Sequence, residues 1–451
     1  MIGATRGRTR AGGPVLVAAL AIGAAVGLPA SALAGPTGPS GAPLAASSKV
    51  APAADPHVTA LTVSPPNLSL GKERVGSFFV SNTAIIANLS QHPIKIKDIA
   101  FKSGDTSDFV VGTDCFPHGK PRTLKPKQGC RIKAVFVPHV YGKRTAIINI
   151  TESTLGSPRP FKVSGTGTLG YVLSGSPGGV ASFGDAEFKG QPKPTPLSGD
   201  IVSLTCTTTG DGYWLLGEDG GVFTFGDAKF FGSTGAMHLN QPVVGMTSPR
   251  ANNGYWLVAS DGGIFSFGRV PFFGSTGGRH LNQPIVGMAA TRSGNGYWLV
   301  ARDGGIFTFG DAKFFGSAGG IRLAQPIVGM ARTPSGNGYW LVARDGGVFT
   351  YGDAKFFGSG GGLRFGNVAG IAPTPNGLGY WLSNTAGQVF IFGDAPYFGD
   401  LFKRGTSNAT GVAATAPPIG PTHPRTIIDE PSPAALNALM EPAPGHRVDL
   451  G

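Results

Sequence analysis

Four acidic residues recur at one spacing. Asp219, Asp261, Asp303 and Asp345 lie 42 residues apart, each followed by Gly-Gly. Arg302 and Arg344 precede two of them, and Asn240-Gln241, Asn282-Gln283 and Gln325 recur between them. Carboxylates, guanidinium groups and amides on one surface offer the donors and acceptors that suit sugar hydroxyls or a peptide. Repetition favours binding over catalysis. An acid/base mechanism needs one unique pair of groups, whereas several equivalent weak sites gain avidity on a polymer. The competing reading is turn chemistry, because Asp ahead of Gly-Gly caps tight turns with its own side chain. A second series, Gly-Asp-Ala, recurs at Asp185, Asp227, Asp311, Asp353 and Asp394, with Arg269 in place of Asp in the third unit. It lacks the dense oxygen ligands of a calcium loop and reads as turn capping.

Other catalytic signals are weak. The eight His show no metal-ligand spacing. No Gly-x-Ser-x-Gly elbow or phosphate-binding loop occurs. Asp211 and Glu218 are carboxylates without a place in this pattern. The sequence therefore implies no catalytic residue, no cofactor and no metal. Charge gives a different candidate. Residues 57–168 hold 15 Lys and Arg against 6 Asp and Glu, and residues 169–416 hold 16 against 14. The densest basic patch is Lys120, Arg122, Lys125, Lys127, Arg131 and Lys133. It could meet an anionic envelope polymer or a membrane surface; the plainer reading is a solvated basic loop. No aromatic residues interleave the patch, which argues against nucleic acid.

These residues must be positioned by repeated elements. All five Trp stand at 214, 256, 298, 340 and 381, each within Gly-Tyr-Trp-Leu, and Gly170-Tyr171-Val172-Leu173 is a degenerate sixth copy. One unit, from 284, offers four short apolar strands: A at Ile285–Thr291, B at Tyr297–Ala301, C at Ile306–Phe309 and D at Lys313–Phe315. Gly with Asn or Asp separates them, which favours tight hairpin turns. Four antiparallel strands in about 42 residues form a propeller blade. Continuous apolar runs fit blades packed on both faces. The array opens on a B strand and ends on an A strand, Thr410–Thr415, which can complete the first blade and close a ring of six. The alternative is an open solenoid of the same period. The Trp and Phe series reads as core packing between blades, with a sugar-stacking platform as its rival.

Residues 57–168 show strand signals at Val58–Val63, Ile94–Phe101, Arg131–Val137 and Thr145–Ile150, with no sustained helical period. Several short strands in such a length predict a β-sandwich. Cys115 and Cys130 bracket the basic segment and are expected to pair in an exported chain, leaving Cys206 as a buried thiol. The fold class is thus all-β: an immunoglobulin-like β-sandwich followed by a six-bladed β-propeller with about 42 residues per blade.

Both parts resemble known families. Leu61-Thr62-Val63-Ser64-Pro65 with Leu70-Gly71, Asn88 to Pro93-Ile94, Asp108-Phe109, Leu124-Lys125-Pro126, Val135-Phe136-Val137-Pro138, Gly142 and Val163-Ser164-Gly165-Thr166-Gly167 keep a familiar order. Residues 57–168 resemble immunoglobulin-like domains of the abnormal-spindle/hydin type and the similar choice-of-anchor domains of secreted bacterial proteins. That resemblance implies an interaction or spacer module. The loop before Cys130 is more basic than the family pattern. Residues 169–416 resemble repeat arrays of secreted actinobacterial proteins, with the signature Asp-Gly-Gly-x-Phe-x-Phe-Gly-Asp-Ala-x-Phe-x-Gly, and are similar in general shape to lectin-like and cell-wall-associated propellers. The first and last units depart from the signature.

Composition and the termini set the location. Gly 73 and Pro 37 approach disorder levels, but 29 Phe, 9 Tyr and 5 Trp require a packed core. Arg6, Arg8 and Arg10, an apolar run from Pro14 to Pro29 and Ser31-Ala32-Leu33-Ala34 read as a signal peptide over 1–34. Residues 35–56 read as a disordered linker and 417–451 as a disordered Pro-rich tail. No other apolar run is long enough to span a membrane, so the mature chain is expected to be secreted/extracellular or loosely cell-surface associated. The functional expectation is a non-enzymatic binding protein of the cell envelope, its partner a cell-wall glycan or a surface protein. The alternatives are an extracellular polysaccharide hydrolase or lyase with a site in the propeller channel, and a structural assembly component. Oligomeric state is left open.

Overall fold

Burial alternates along Gly129–Phe136, with Cys130, Ile132, Ala134 and Phe136 inward, the pattern of a strand with one wet face. The computed structural model describes residues 60–76, 81–193, 199–362, 365–402 and 408–415. The signal peptide, linker and tail calls, at 1–34, 35–56 and 417–451, lie outside the described residues. The described chain is all-β, with two single-turn 3-10 helices at Thr106–Asp108 and Pro117–Gly119. No described helix is long and apolar enough to cross a membrane.

Up to residue 168 the chain forms two sheets. One has the order β1 (Leu61–Ser64), β3 (Ser81–Asn88), β7 (Gly129–Phe136), β5 (Phe109–Thr113). The other runs β2 (Asn67–Arg74), β9 (Arg159–Thr168), β8 (Gly142–Glu152), β4 (Ile94–Gly104), β6 (Thr123–Leu124). Both contribute to one core that includes Leu68, Ile86, Phe109, Ile132, Phe136, Ile148 and Phe161. Cys115 and Cys130 are bonded, with Cα atoms 5.2 Å apart, and tie the loop after β5 to β7. A buried carboxylate pins the turns beneath. Asp108 accepts from His139 Nδ1 at 2.7 Å and from Arg144, whose guanidinium also reaches Asp105.

From residue 170 the chain forms six three-stranded antiparallel sheets. The first joins β10 (Gly170–Gly175) and β11 (Gly179–Gly184) to the last strand, β27 (Ala409–Ala414), with Tyr171 opposite Ala414. The next five are consecutive. They are β12 (Ile201–Cys206), β13 (Gly212–Gly217), β14 (Val222–Gly226); β15 (Val243–Thr247), β16 (Gly254–Ala259), β17 (Ile264–Gly268); β18 (Ile285–Ala290), β19 (Gly296–Ala301), β20 (Ile306–Gly310); β21 (Ile327–Arg332), β22 (Gly338–Ala343), β23 (Val348–Gly352); and β24 (Val368–Pro373), β25 (Gly379–Asn384), β26 (Val389–Gly393). Strands β12, β15, β18, β21, β24 and β27 contact one another in a closed cycle, β27 returning to β12.

The Gly-Tyr-Trp-Leu strand explains this packing. Its residues are all buried, and successive side chains point to opposite faces. Tyr297 and Leu299 pack with Trp256 and Val258 of the preceding sheet, while Trp298 and Val300 pack with Tyr339 and Leu341 of the following one. The same alternation joins the last sheet to the first, where Trp381 packs against Tyr171 with ring centroids 5.4 Å apart. Tyr hydroxyls add a stitch. Tyr339 Oη donates to Gly316 O at 2.6 Å and accepts from Phe315 N at 3.2 Å. Tyr213, Tyr255, Tyr297 and Tyr380 repeat the pair of bonds on their preceding unit, and Tyr171 makes it to Gly399 and Phe398.

The structure corrects the fourth strand. Lys313–Phe315 and its equivalents have no strand pairing. Side chains take the place of a ladder: Trp298 Nε1 donates to Lys313 O at 2.8 Å, and the Tyr339 hydroxyl satisfies the next groups. Gly316 then turns the chain at φ +127°, where an added Cβ would fall 2.6 Å from the Tyr351 ring. The outer segment therefore leaves the sheet while keeping its backbone bonded.

The two-sheet region and the array touch through β2. Arg74 donates to Thr209 O and, at 3.3 Å, to Asp211 Oδ1. Val75 is buried with Tyr171 and Trp381, and the Tyr141 ring meets Phe398 edge-on at 5.3 Å.

Candidate functional site

The Asp-Gly-Gly turns follow the Tyr-Trp strands, and each Asp is first a turn residue. Asp219, Asp261, Asp303 and Asp345 accept from the N–H two residues on, Gly221, Gly263, Gly305 and Gly347, at 2.8–3.0 Å. Each bond uses Oδ1 and leaves Oδ2 for other donors. Turn chemistry and ligand contact are thus compatible on one side chain. The backbones of Arg302 and Arg344 are clamped between sheets. Arg302 N donates to Pro284 O and its carbonyl accepts from Ile327 N; Arg344 repeats this with Pro326 and Val368. Among the described residues neither guanidinium forms an ion pair within 4.0 Å.

One shallow pocket of about 310 Å³ gathers four of the sequence candidates: Gln283, Arg302, Asp303 and Gln325, floored by Leu323, Ala324 and Pro326. Asn240, Gln241 and Asn282 are exposed and stand outside that pocket, as do Asp219, Asp261, Arg344 and Asp345. Asp211 and Glu218 flank opposite ends of β13, and so do not pair. The aromatic series divides. Every Trp is buried, in keeping with core packing, but the first aromatic of each outer segment is not. Phe188, Phe230, Phe272, Phe314, Phe356 and Tyr397 are all exposed, Phe314 by 61%. The Phe series is thus core only in part, because the departure of the outer segment from the sheet turns this side chain outward.

In the basic patch, Lys120, Lys125, Lys127 and Arg131 are exposed, while Arg122 and Lys133 are half-buried. Burial lowers the Lys133 ammonium below its usual range. None of the six forms an ion pair within 4.0 Å among the described residues. Asp114 with Cys115 and Cys130 is the one cluster of metal-ligating atom types among the described residues, and both its sulfurs are in the disulfide.

The opposite end of the array carries a feature the sequence reading missed. A cavity of about 270 Å³ is lined by the C-terminal ends of all six cycling strands, and another of about 160 Å³ by their middles. At or next to the level of the Tyr residues the lining positions are Cys206, Ser248, Ala290, Arg332, Pro373 and Ala414, five residue types in six units. Arg250 also lines this cavity. Burial, reinforced by Arg250 and Arg292, brings the Arg332 guanidinium down to about 10. Burial and then Arg292 lower Arg250. Cys206, expected to be buried, is half-buried at the cavity wall, and desolvation pushes its thiol up to about 12, which keeps it neutral. The signal available in sequence was the break in repetition: Arg stands at 332 where other units place Cys, Ser, Ala and Pro.

No protein-family model matches the chain, and no curated protein matches it. Among solved structures it is similar to the VesB protease of Vibrio cholerae, at 17% identity and TM-score 0.21, over 24% of this chain and 32% of that one. It is similar at 18% identity and TM-score 0.20 to a protein of unknown function from Porphyromonas gingivalis W83, over 24% of this chain and 46% of that one. The ASH/PapD-like domain 7 of human CEP192 aligns at 14% identity and TM-score 0.19, over 28% of this chain and 96% of that domain. The chain spans less than half the length of the first two.

Proposed function

We propose that the protein is a secreted, non-enzymatic binding protein of the cell envelope. In this reading residues 57–168 are an immunoglobulin-like sandwich of the abnormal-spindle/hydin type, and 169–416 are a six-bladed β-propeller that binds glycan. The closed cycle of inner strands and the Tyr171 stitch onto Gly399 support the propeller. The two sheets around one core support the sandwich. The N-terminal signal pattern and the disulfide support export.

The observation that carries the ligand class is the pocket of Gln283, Arg302, Asp303 and Gln325. A carboxylate, a guanidinium and two amides over an apolar floor match the alternating hydroxyl and C–H faces of a sugar. Arg344-Asp345 in the following unit and an exposed aromatic in every unit give the repetition that polymer binding exploits. The hydrolase or lyase alternative is less well supported. The cavity linings hold no carboxylate and no imidazole among the described residues, so the acid/base pair is missing there.

The test is retention of the full chain on insoluble cell-wall polysaccharide, with free sugars as competitors. Retention released by one sugar supports glycan binding by the array. Retention that only salt releases overturns it and assigns binding to the basic patch.

A further inference from the structure

We propose that Arg250, Arg292 and Arg332 form a binding site for one small oxyanion of the phosphate class, at the end of the cavity that the six inner strands surround. The three belong to successive sheets. Arg250 and Arg292 lie in the turns after β15 and β18, and Arg332 ends β21. Arg292 Nη1 reaches across to the next unit and donates to Pro334 O at 2.7 Å, beside Arg332, whose own Nη1 donates to Thr333 O at 3.1 Å.

Arg250 and Arg332 both line the cavity, and Arg292 reaches its edge through the carbonyl of Pro334, itself a lining residue. Among the described residues none of them has a carboxylate within 4.0 Å. The Asp side chains bonded to these turns serve hydroxyls: Asp311 those of Thr291 and Ser293, Asp353 those of Thr333 and Ser335, and Asp227 those of Thr207 and Thr209. All three Arg side chains are half-buried, and like charges withdrawn in part from water are costly unless an opposite charge joins them. Burial first and then Arg292 lower Arg250, and burial first and then Arg250 and Arg292 lower Arg332, so like charge adds to the cost of desolvation.

The donors fit an oxyanion. Each guanidinium has five N–H groups. Arg292 and Arg332 each spend one on a turn carbonyl. Three lining hydroxyls donate elsewhere: Thr205 to Met246 O, Thr208 to Arg250 O and Ser248 to Gly254 O. Recognition therefore falls to the guanidinium groups, whose planar fork matches phosphate oxygens. Three positive charges favour a dianion over a single carboxylate. The cavity of about 270 Å³ has room for phosphate or a small phosphomonoester.

The test is calorimetric titration of the full chain with inorganic phosphate against chloride at equal ionic strength, alongside thermal melts. Expected are saturable one-to-one uptake, at least tenfold weaker uptake in Arg332→Met and Arg250→Gln, and a phosphate-induced rise in Tm that Arg332→Met lacks. In phosphate-free buffer Arg332→Met should melt higher than the parent, because a half-buried charge with no carboxylate partner is gone. Glucose 1-phosphate distinguishes the sources: tighter uptake than phosphate assigns an ester ligand, weaker uptake free phosphate. The absence of saturable uptake overturns the proposal. So does uptake that survives both Arg variants but is lost in Lys125→Gln/Lys127→Gln. Should Arg332→Met fail to fold, Arg250→Gln alone decides.

Discussion

Tyr171→Phe should destabilise the array as much as Tyr297→Phe. Each hydroxyl serves two backbone groups of a neighbouring unit: Tyr297 reaches Gly274 O at 2.6 Å and Phe273 N at 3.2 Å, and Tyr171 reaches Gly399 O and Phe398 N. Removing it leaves a carbonyl and an N–H short of partners. An orphaned buried group costs about 1–3 kcal/mol, and the partly exposed outer segment admits some water, so about 2 kcal/mol per substitution follows. In a domain of this size that is a fall in Tm of roughly 4–8 °C. All five Trp lie in the array, so Trp fluorescence during urea unfolding reports it alone. The comparison matters because Tyr297 joins sequence neighbours, whereas Tyr171 joins the first sheet to a segment more than 220 residues later. Equal losses support a closed ring. A neutral Tyr171→Phe beside a costly Tyr297→Phe would refute the closure argument.

Acid should destabilise the two-sheet region first. Burial alone would raise Asp108 and Glu152, but bonds from His139 and Arg144 to the one, and from Thr154 and Arg159 to the other, outweigh it and hold both below the usual carboxylate range. A depressed carboxylate stabilises fully above its unfolded value of about 4 and loses that contribution as pH falls below it. Melts between pH 6 and pH 3 should show the loss, and Asp108→Asn should flatten it. Reducing Cys115–Cys130 should cost about 3 kcal/mol for a loop of this size, read as a lower urea midpoint of the two-sheet transition. Cys206 should resist iodoacetamide at pH 8 in the folded chain and react after unfolding, checked by mass spectrometry.

Much of the architecture was legible because the Gly-Tyr-Trp-Leu period places one buried strand in each unit and Asp-Gly-Gly marks the turn after it. The pairing of Cys115 with Cys130 was legible from their positions. The fourth strand was misread for a nonlocal reason. Lys-Phe-Phe has strand propensity, but its backbone partners are the Trp298 indole and the Tyr339 hydroxyl, 15 residues back and 24 ahead. That same departure exposes Phe314, which propensity alone assigns to the core. The arginine cluster was hidden by register. Arg250 and Arg292 are repeat equivalents, but Arg332 sits two places earlier in its unit, and only the cycle of inner strands brings it to the others.

The central claim is that the Gln283–Gln325 pocket binds glycan. Its most direct measurement is the affinity of the full chain for soluble cell-wall polysaccharide, compared with Gln283→Ala/Arg302→Ala and with Lys125→Gln/Lys127→Gln. The account predicts at least tenfold weaker binding in the first variant and an unchanged constant in the second. Undiminished binding in the first, with loss in the second, would contradict it and move recognition to the basic patch.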